Sequence, residues 1–252
     1  MLNQISVPIA KKIAGYFGYR LINANRRWGV DHIDDIQRIV GDLSKIRCVF
    51  DVGANVGANA LAYATRFPNA RILAFEPVFE SFGHLKSNSR NIRRILPIHC
   101  ALGNHNGISQ CSIHADSRNN TLVAGLEDEF HSSPSGNQDV QVVTLDTFVS
   151  EQGVGSIDLL KIDTEGYDLA VLQGASETLR RKEIKFVYFE FHHLLPRQAT
   201  SQLGSLISIA EFLDRFDFRF LTIYTDSVHG DEPMGTYNAL FLLNSSEYSW
   251  RF

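Results

Sequence analysis

Cysteine is scarce in this sequence, and what there is does not pair. Cys48, Cys100 and Cys111 are three in number, odd, and form no CxxC. Two of them fall inside apolar, strand-like runs, where a buried reduced thiol is the usual meaning. That pattern fits a reducing compartment, and a cytoplasmic protein is expected. No run approaches 18 apolar residues, so no transmembrane helix is expected. Lys11 and Lys12 follow the first apolar residues instead of preceding them, and no continuous hydrophobic stretch stands behind them, which is unlike a secretory signal. Charge is also unexceptional. Lys and Arg number 24 against 28 Asp and Glu, for a net charge of −4 and a pI near 6.1. This gives no electrostatic reason to expect nucleic acid as a partner. The basic clusters at Arg26 and Arg27, at Arg90, Arg93 and Arg94, and at Arg180, Arg181 and Lys182 are short and read as solvated helix faces. No internal repeat is visible.

What is present is ordinary globular usage, 44% apolar and 21% charged over 252 residues, enough for one α/β domain. Residues 1–45 carry helical spacing: Ile5, Ile9, Ile13, Tyr16 and Phe17, then Ile33, Ile36, Val40 and Leu43. A helical cap is expected there, with a lid or membrane-surface helix as the alternative. From Ile46 to the end, short apolar runs alternate with helical stretches. The runs are CVFDV (48–52), RILAFEP (71–77), LPIHCA (96–101), IDLLKID (157–163) and KFVYFEF (185–191), with helices expected near 56–66, 78–92, 167–181 and 203–216. Such alternation predicts a parallel sheet covered on both faces. FRFLTIY (218–224) and YNALFLL (237–243) have no helix between them and suit an antiparallel hairpin at one sheet edge. Residues 104–140, rich in Asn, Ser, His and Gly, read as an inserted hairpin and loop that serve as a lid.

The first run ends in VFDVGANVGAN, an acid followed by a small-residue turn. A strand, a tight turn and a helix place a ligand at the carboxyl end of a sheet. A phosphate-binding loop needs Lys-Ser/Thr after its last glycine, where Ala58 and Asn59 stand. A dinucleotide fingerprint needs glycine at 53, 55 and 58, and only Gly53 complies. A calcium loop opening at Asp51 needs a glutamate at 62, which is alanine. What remains is D-x-G-x-N-x-G, formed by Asp51, Gly53, Asn55 and Gly57. A carboxylate ahead of the turn attracts an ammonium or sulfonium, while the helix N-terminus takes a carboxylate. Glu76, at the tip of the second run, is placed to accept both hydroxyls of a ribose. A sulfonium amino acid on a ribose describes S-adenosylmethionine, whose adenine would lie near Ala101 and Leu102 with residues 116–121 close by.

The motifs FDVGANVGANAL, FPNARILAFEPVFESFGHLKSN, CALGNHNG, VVTLDTF, IDLLKIDTEGYDLAVLQGA and FVYFEFHH, in this order from Val49 to His192, resemble those of the FkbM-type methyltransferases. The resemblance implies a Rossmann-like class I methyltransferase fold, with a mostly parallel seven-stranded sheet and an antiparallel edge strand, and O-methylation of sugars or secondary metabolites. It implies a cofactor site at Asp51, Gly53, Asn55, Gly57, Glu76 and Asp163. Val78 and Phe79 stand where the family often has a second proline, and Tyr167 and Asp168 where it often has a small residue and Glu, so the acceptor is not implied.

Methyl transfer to a hydroxyl needs a group to take the proton. Two clusters qualify. KIDTEGYD offers Asp163 and Glu165 at a strand end, and FEFHH offers Glu190 and His192 on one face. The expectation is that His192 or Glu190 is the general base and that Asp163 or Glu165 orients the acceptor or cofactor. A divalent metal held by Asp163, Glu190 and His192 is a less favoured alternative. Structural readings compete with each: Glu190 paired to Lys161 or Lys185, His193 turned to the other face, and Tyr167, Phe79 and Phe82 in the core instead of an acceptor pocket. An N-methyltransferase and a catalytically silent, methyltransferase-like binding protein remain open beside the O-methyltransferase.

Overall fold

The computed structural model describes residues 28–123, 134–191, 193–195, 205–228 and 235–245. The helical expectation for 1–27 lies outside them. Helix α1 (His32–Val40) follows Asp31, whose side chain accepts the Ile33 and Asp34 N–H groups and so caps it. Its Ile33, Ile36 and Val40 are buried, as the three- and four-residue spacing predicts.

The main sheet has seven strands in the order β3-β2-β1-β7-β8-β10-β9. These are β1 (Cys48–Val52), β2 (Arg71–Phe75), β3 (Ile95–Ile98), β7 (Ile157–Ile162), β8 (Ile184–Phe191), β9 (Phe218–Val228) and β10 (Gly235–Leu243). β3, β2, β1, β7 and β8 are parallel neighbours. β10 runs antiparallel between β8 and β9, so the final hairpin is present, with its second strand inside the sheet and β9 at the edge. Alternate residues feed two cores. Phe50, Val52, Leu160, Ile162 and Val187 face one side, and Val49, Leu159, Phe186 and Leu240 face the other. Strands buried on both faces need near-continuous apolar sequence, and β7 is buried at every position.

Helices α2 (Ala58–Arg66), α3 (Phe79–Ser89) and α7 (Leu206–Asp214) fall inside the expected stretches. The helix expected over 167–181 is broken into α5 (Asp168–Gln173) and α6 (Ser176–Arg180). A Cβ at Gly174 would lie 1.9 Å from the Gly103 carbonyl oxygen, so the chain turns where another backbone touches it. Helix α4 (Leu145–Gln152), capped by Thr144, was not expected, because its apolar residues are too few to show a clear period.

LPIHCA is not one strand. β3 ends at Ile98, and Ala101–Leu102 form β4 of a second, three-stranded sheet with β5 (Gly107–Ile113) and β6 (Gly136–Val143), in the order β4-β6-β5. β5 and β6 are the antiparallel hairpin expected within 104–140. Among the described residues no helix is long and apolar enough to cross a membrane.

Candidate active site

The carboxyl ends of β1, β2, β7 and β8 converge on a cleft of about 840 Å³, open mouth included. Strand β1 stops because the Gly53 and Ala54 N–H groups both bond to the Phe75 carbonyl, at 3.1 and 2.9 Å, and pull the chain off the β7 side of the ladder. Gly53 has φ +74°, and a Cβ there would lie 1.8 Å from the Asp163 carbonyl oxygen. Only glycine satisfies both conditions. Gly57 (φ +94°) opens α2 without a side-chain cap of its own, and the Ala60 N–H in the first turn faces the Asp51 carboxylate beneath it. Gly57 does not line the cleft; the Leu85 side chain lies against it.

Glu76 projects from the tip of β2, buried and in the cleft wall. The Asn55 N–H donates to its Oε2 at 2.8 Å and the Val78 N–H to its Oε1 at 2.9 Å, so the carboxylate is fixed in orientation. Burial raises its pKa to about 7 against the opposing effect of these two N–H donors. Gly53, Asn55, Ala101, Leu102, Asp163, Glu165 and Glu190 line the same cleft.

Asp51 does not line it. It is fully buried beneath the turn, where register sets it directly opposite Lys161. The Lys161 ammonium, itself 2% exposed, lies 3.0 Å from Asp51 Oδ1 and 3.2 Å from Asp163 Oδ2. Burial pushes the Asp51 carboxyl up, opposed by Lys161. Burial would also strip the Lys161 proton, but Asp163 and Asp51 outweigh it and hold the ammonium charged above its ordinary range. Asp51 is therefore part of the cleft's foundation, and its charge is already matched. In the sequence Lys161 reads only as a partner for Glu190, whereas it pairs with Asp51 and Asp163; Lys185, the other such partner, pairs with Asp158.

Asp163, Glu165 and Glu190 each bring a carboxylate oxygen within 4.8 Å of the others. Glu165 reaches this cluster from a left-handed backbone (φ +50°) just before Gly166 (φ +90°). Burial, then the charges of Asp163, Glu165 and Asp168, push the Glu190 carboxyl far above the usual range. Glu190 thus holds a proton unless a cation stands beside it. Three oxygen donors so placed also suit a hard cation. His192 lies outside the described residues, so the expected Glu190–His192 pair and the metal set containing that imidazole have no geometry here. Tyr167 is absent from the cleft lining; its ring lies against Gly103. Phe82 stacks on His99, and Phe79 is 73% exposed.

A roof crosses the cleft from the second sheet. Ser117 donates to Asn55 Oδ1 at 3.1 Å, Thr121 Oγ1 to the Glu165 carbonyl at 2.7 Å, and Gln138 Nε2 to the Pro77 carbonyl at 3.2 Å. Each of the three loops that carry site residues is tied to the insertion. Ser117, Arg118, Asn120 and Leu122 line the cleft. The polar character of 116–121 is the only signal in the sequence for the first three, and Leu122 has none.

A family model described as Methyltransferase FkbM domain matches residues 51–220. The chain belongs to the FkbM methyltransferase family. The matched span runs from Asp51 into the edge strand β9 and contains all the described cleft acids. It has an α/β, Rossmann-like class I methyltransferase fold with a mostly parallel seven-stranded sheet. The hexuronic acid methyltransferase AglP of Haloferax volcanii is 24% identical over 194 residues, 75% of this chain and 76% of that protein. The 2-O-methyltransferase NoeI of Sinorhizobium fredii is 26% identical over 155 residues, 57% of this chain. That match spans 62% of NoeI, less than two thirds of its length. Among solved structures, the magnesium protoporphyrin IX methyltransferase ChlM of Synechocystis with bound SAM is similar with a TM-score of 0.45 and 11% identity. It covers 96% of this chain and 86% of that one.

Proposed function

We propose that this protein is a cytoplasmic, S-adenosylmethionine-dependent O-methyltransferase acting on a hydroxyl of a small molecule, a sugar unit or a secondary metabolite. The observation that carries the reading is the Glu76 carboxylate, locked by two backbone N–H groups and turned into a cleft floored by the Gly53 turn, in a member of a methyltransferase family. Glu76 accepts the ribose hydroxyls. The turn and the uncapped end of α2 take the amino-acid carboxylate, and Ala101 and Leu102 flank the adenine. When bound, the cofactor supplies an electrophilic methyl on a cationic sulfur, which is transferred in line to the acceptor oxygen. Asp163 and Glu165 orient the acceptor and the cationic end of the cofactor. With the cationic sulfur of the cofactor beside it, Glu190 gives up the proton it otherwise holds and, as the carboxylate, takes the hydroxyl proton as the methyl–oxygen bond forms, with His192 as the other candidate base. Residues 104–140 act as lid and 1–45 as cap. The relatives named for a hexuronic acid and for 2-O-methylation support a sugar hydroxyl as one acceptor class.

Calorimetric titration with S-adenosylhomocysteine tests the cofactor reading, with a Kd on the order of micromolar expected. Absence of heat with this ligand, with heat from NAD, sinks it. A mass-spectrometric screen of hydroxylated acceptors for a one-methylene gain tests the reaction. One observation favours N-methylation as a second reading: the three clustered carboxylates attract an ammonium. An N-methyltransferase tolerates Glu190→Gln, whereas an O-methyltransferase does not.

A further inference from the structure

We propose that Lys161 is a positioning residue: its buried ammonium bolts the Gly53 turn to the end of β7 and holds one oxygen of Asp163, setting the geometry of the amino-acid end of the cofactor site. The inference rests on the cofactor reading above and deepens it.

Period-two alternation puts Lys161 on the sheet face shared by Leu159 and Val49, the face covered by α1 and α2. Register sets it between Asp51 on one side and Tyr188 on the other. From there its stem runs along the sheet to three oxygens: Asp51 Oδ1 at 3.0 Å, Asp163 Oδ2 at 3.2 Å and the Gly53 carbonyl at 3.4 Å. The three acceptors belong to strand β1, the turn after it and the end of β7. One ammonium therefore fixes the relative position of the parts that touch the cofactor's amino-acid moiety. The contact is close-packed, since the Gly53 Cα sits against the Asp163 carbonyl with no room for a Cβ. Any shift of Asp163 is passed to the turn. With one Asp163 oxygen held at Lys161, the carboxylate is fixed in orientation on the cleft wall. Glu76, by contrast, is held by its own backbone bonds to Asn55 and Val78. The ribose end of the site is thus independent of Lys161 and the amino-acid end is not.

This independence gives the test. Lys161→Met alone strands a buried Asp51 carboxylate and is expected to fold poorly. The doubly substituted Lys161→Met, Asp51→Asn protein removes both charges together, and its fold is checked by circular dichroism and thermal melting. Calorimetry then compares S-adenosylhomocysteine with 5′-methylthioadenosine, which carries ribose and adenine but no amino acid. The expected result is at least a roughly tenfold loss of affinity for S-adenosylhomocysteine, with methylthioadenosine within about threefold of the wild type. Asp51→Asn alone, which leaves Lys161 on Asp163, should lose less. Equal weakening of both ligands, or of neither, in a folded double variant overturns the positioning role. A wild-type protein that binds neither ligand removes the cofactor reading and this role with it. Wild-type binding with an unmoved double variant removes only the role of Lys161.

Discussion

Single residues divide into those that meet the ligand and those that hold the first group in place. In the proposed site Glu76 meets it, and burial, which raises its pKa to about 7, would give cofactor binding a pH dependence. Ribose hydroxyls bind the ionised carboxylate, so cofactor affinity falls as the pH drops through about 7. A protein with this pKa should bind S-adenosylhomocysteine about fivefold more weakly at pH 6 than at pH 7, and Glu76→Gln should flatten that slope while lowering affinity throughout. Calorimetry across pH checks both. Glu190→Gln should cut kcat by about 10²–10⁴ with little change in cofactor affinity if this residue takes the hydroxyl proton. A variant with full kcat for an alcohol acceptor removes that assignment. Glycine, asparagine and glutamate were legible at this scale because a turn and a strand tip restrict residue type locally. Lys161 was not, since one lysine in an apolar run says nothing about what stands on the next strand.

At the scale of elements, α1 is joined to the sheet by a polar seam. The Tyr224 hydroxyl donates to Asp35 Oδ2 at 2.8 Å, and the His32 ring stacks on Tyr188 with its Nε2 3.0 Å from the Tyr63 hydroxyl. Burial lowers the His32 pKa from 6.5 to about 4, with Asp31 opposing. A histidine depressed in the folded state binds its proton more readily when unfolded. Its contribution to stability is thus complete above pH 6.5 and is lost as the pH falls toward 4. The loss is at most about 2 kcal/mol by pH 5, and His32→Phe should remove this part of the pH dependence in urea denaturation. The insertion is the second such element. Thr121→Val deletes the bond to the Glu165 carbonyl and the one its Oγ1 accepts from the Val123 N–H, and should raise the acceptor KM severalfold while costing about 1–3 kcal/mol in urea denaturation. Periodicity in the sequence showed α1, α2, α3 and α7. It merged α5 with α6 and passed over α4, because the break at Gly174 is imposed by Gly103, 71 positions earlier in the chain, and a short capped helix carries too few apolar residues to show a period.

For the whole molecule, the sequence by itself determined the class of fold and the kind of site. Apolar runs alternating with amphipathic stretches must build a sheet buried on both faces, and an acid before a glycine turn must place polar chemistry at that sheet's end. These follow from local periodicity and backbone sterics, which are properties of neighbouring residues. Only the tertiary structure decided that β10 lies inside the sheet and β9 at its edge, that Asp51 is opposed by Lys161 beneath the cleft, that Glu165 joins Asp163 and Glu190, and that the 117–121 segment roofs them. Each of these depends on strand register and on contacts between residues tens of positions apart. One step of register would turn Lys161 to the opposite face of the sheet, and no local pattern specifies that step.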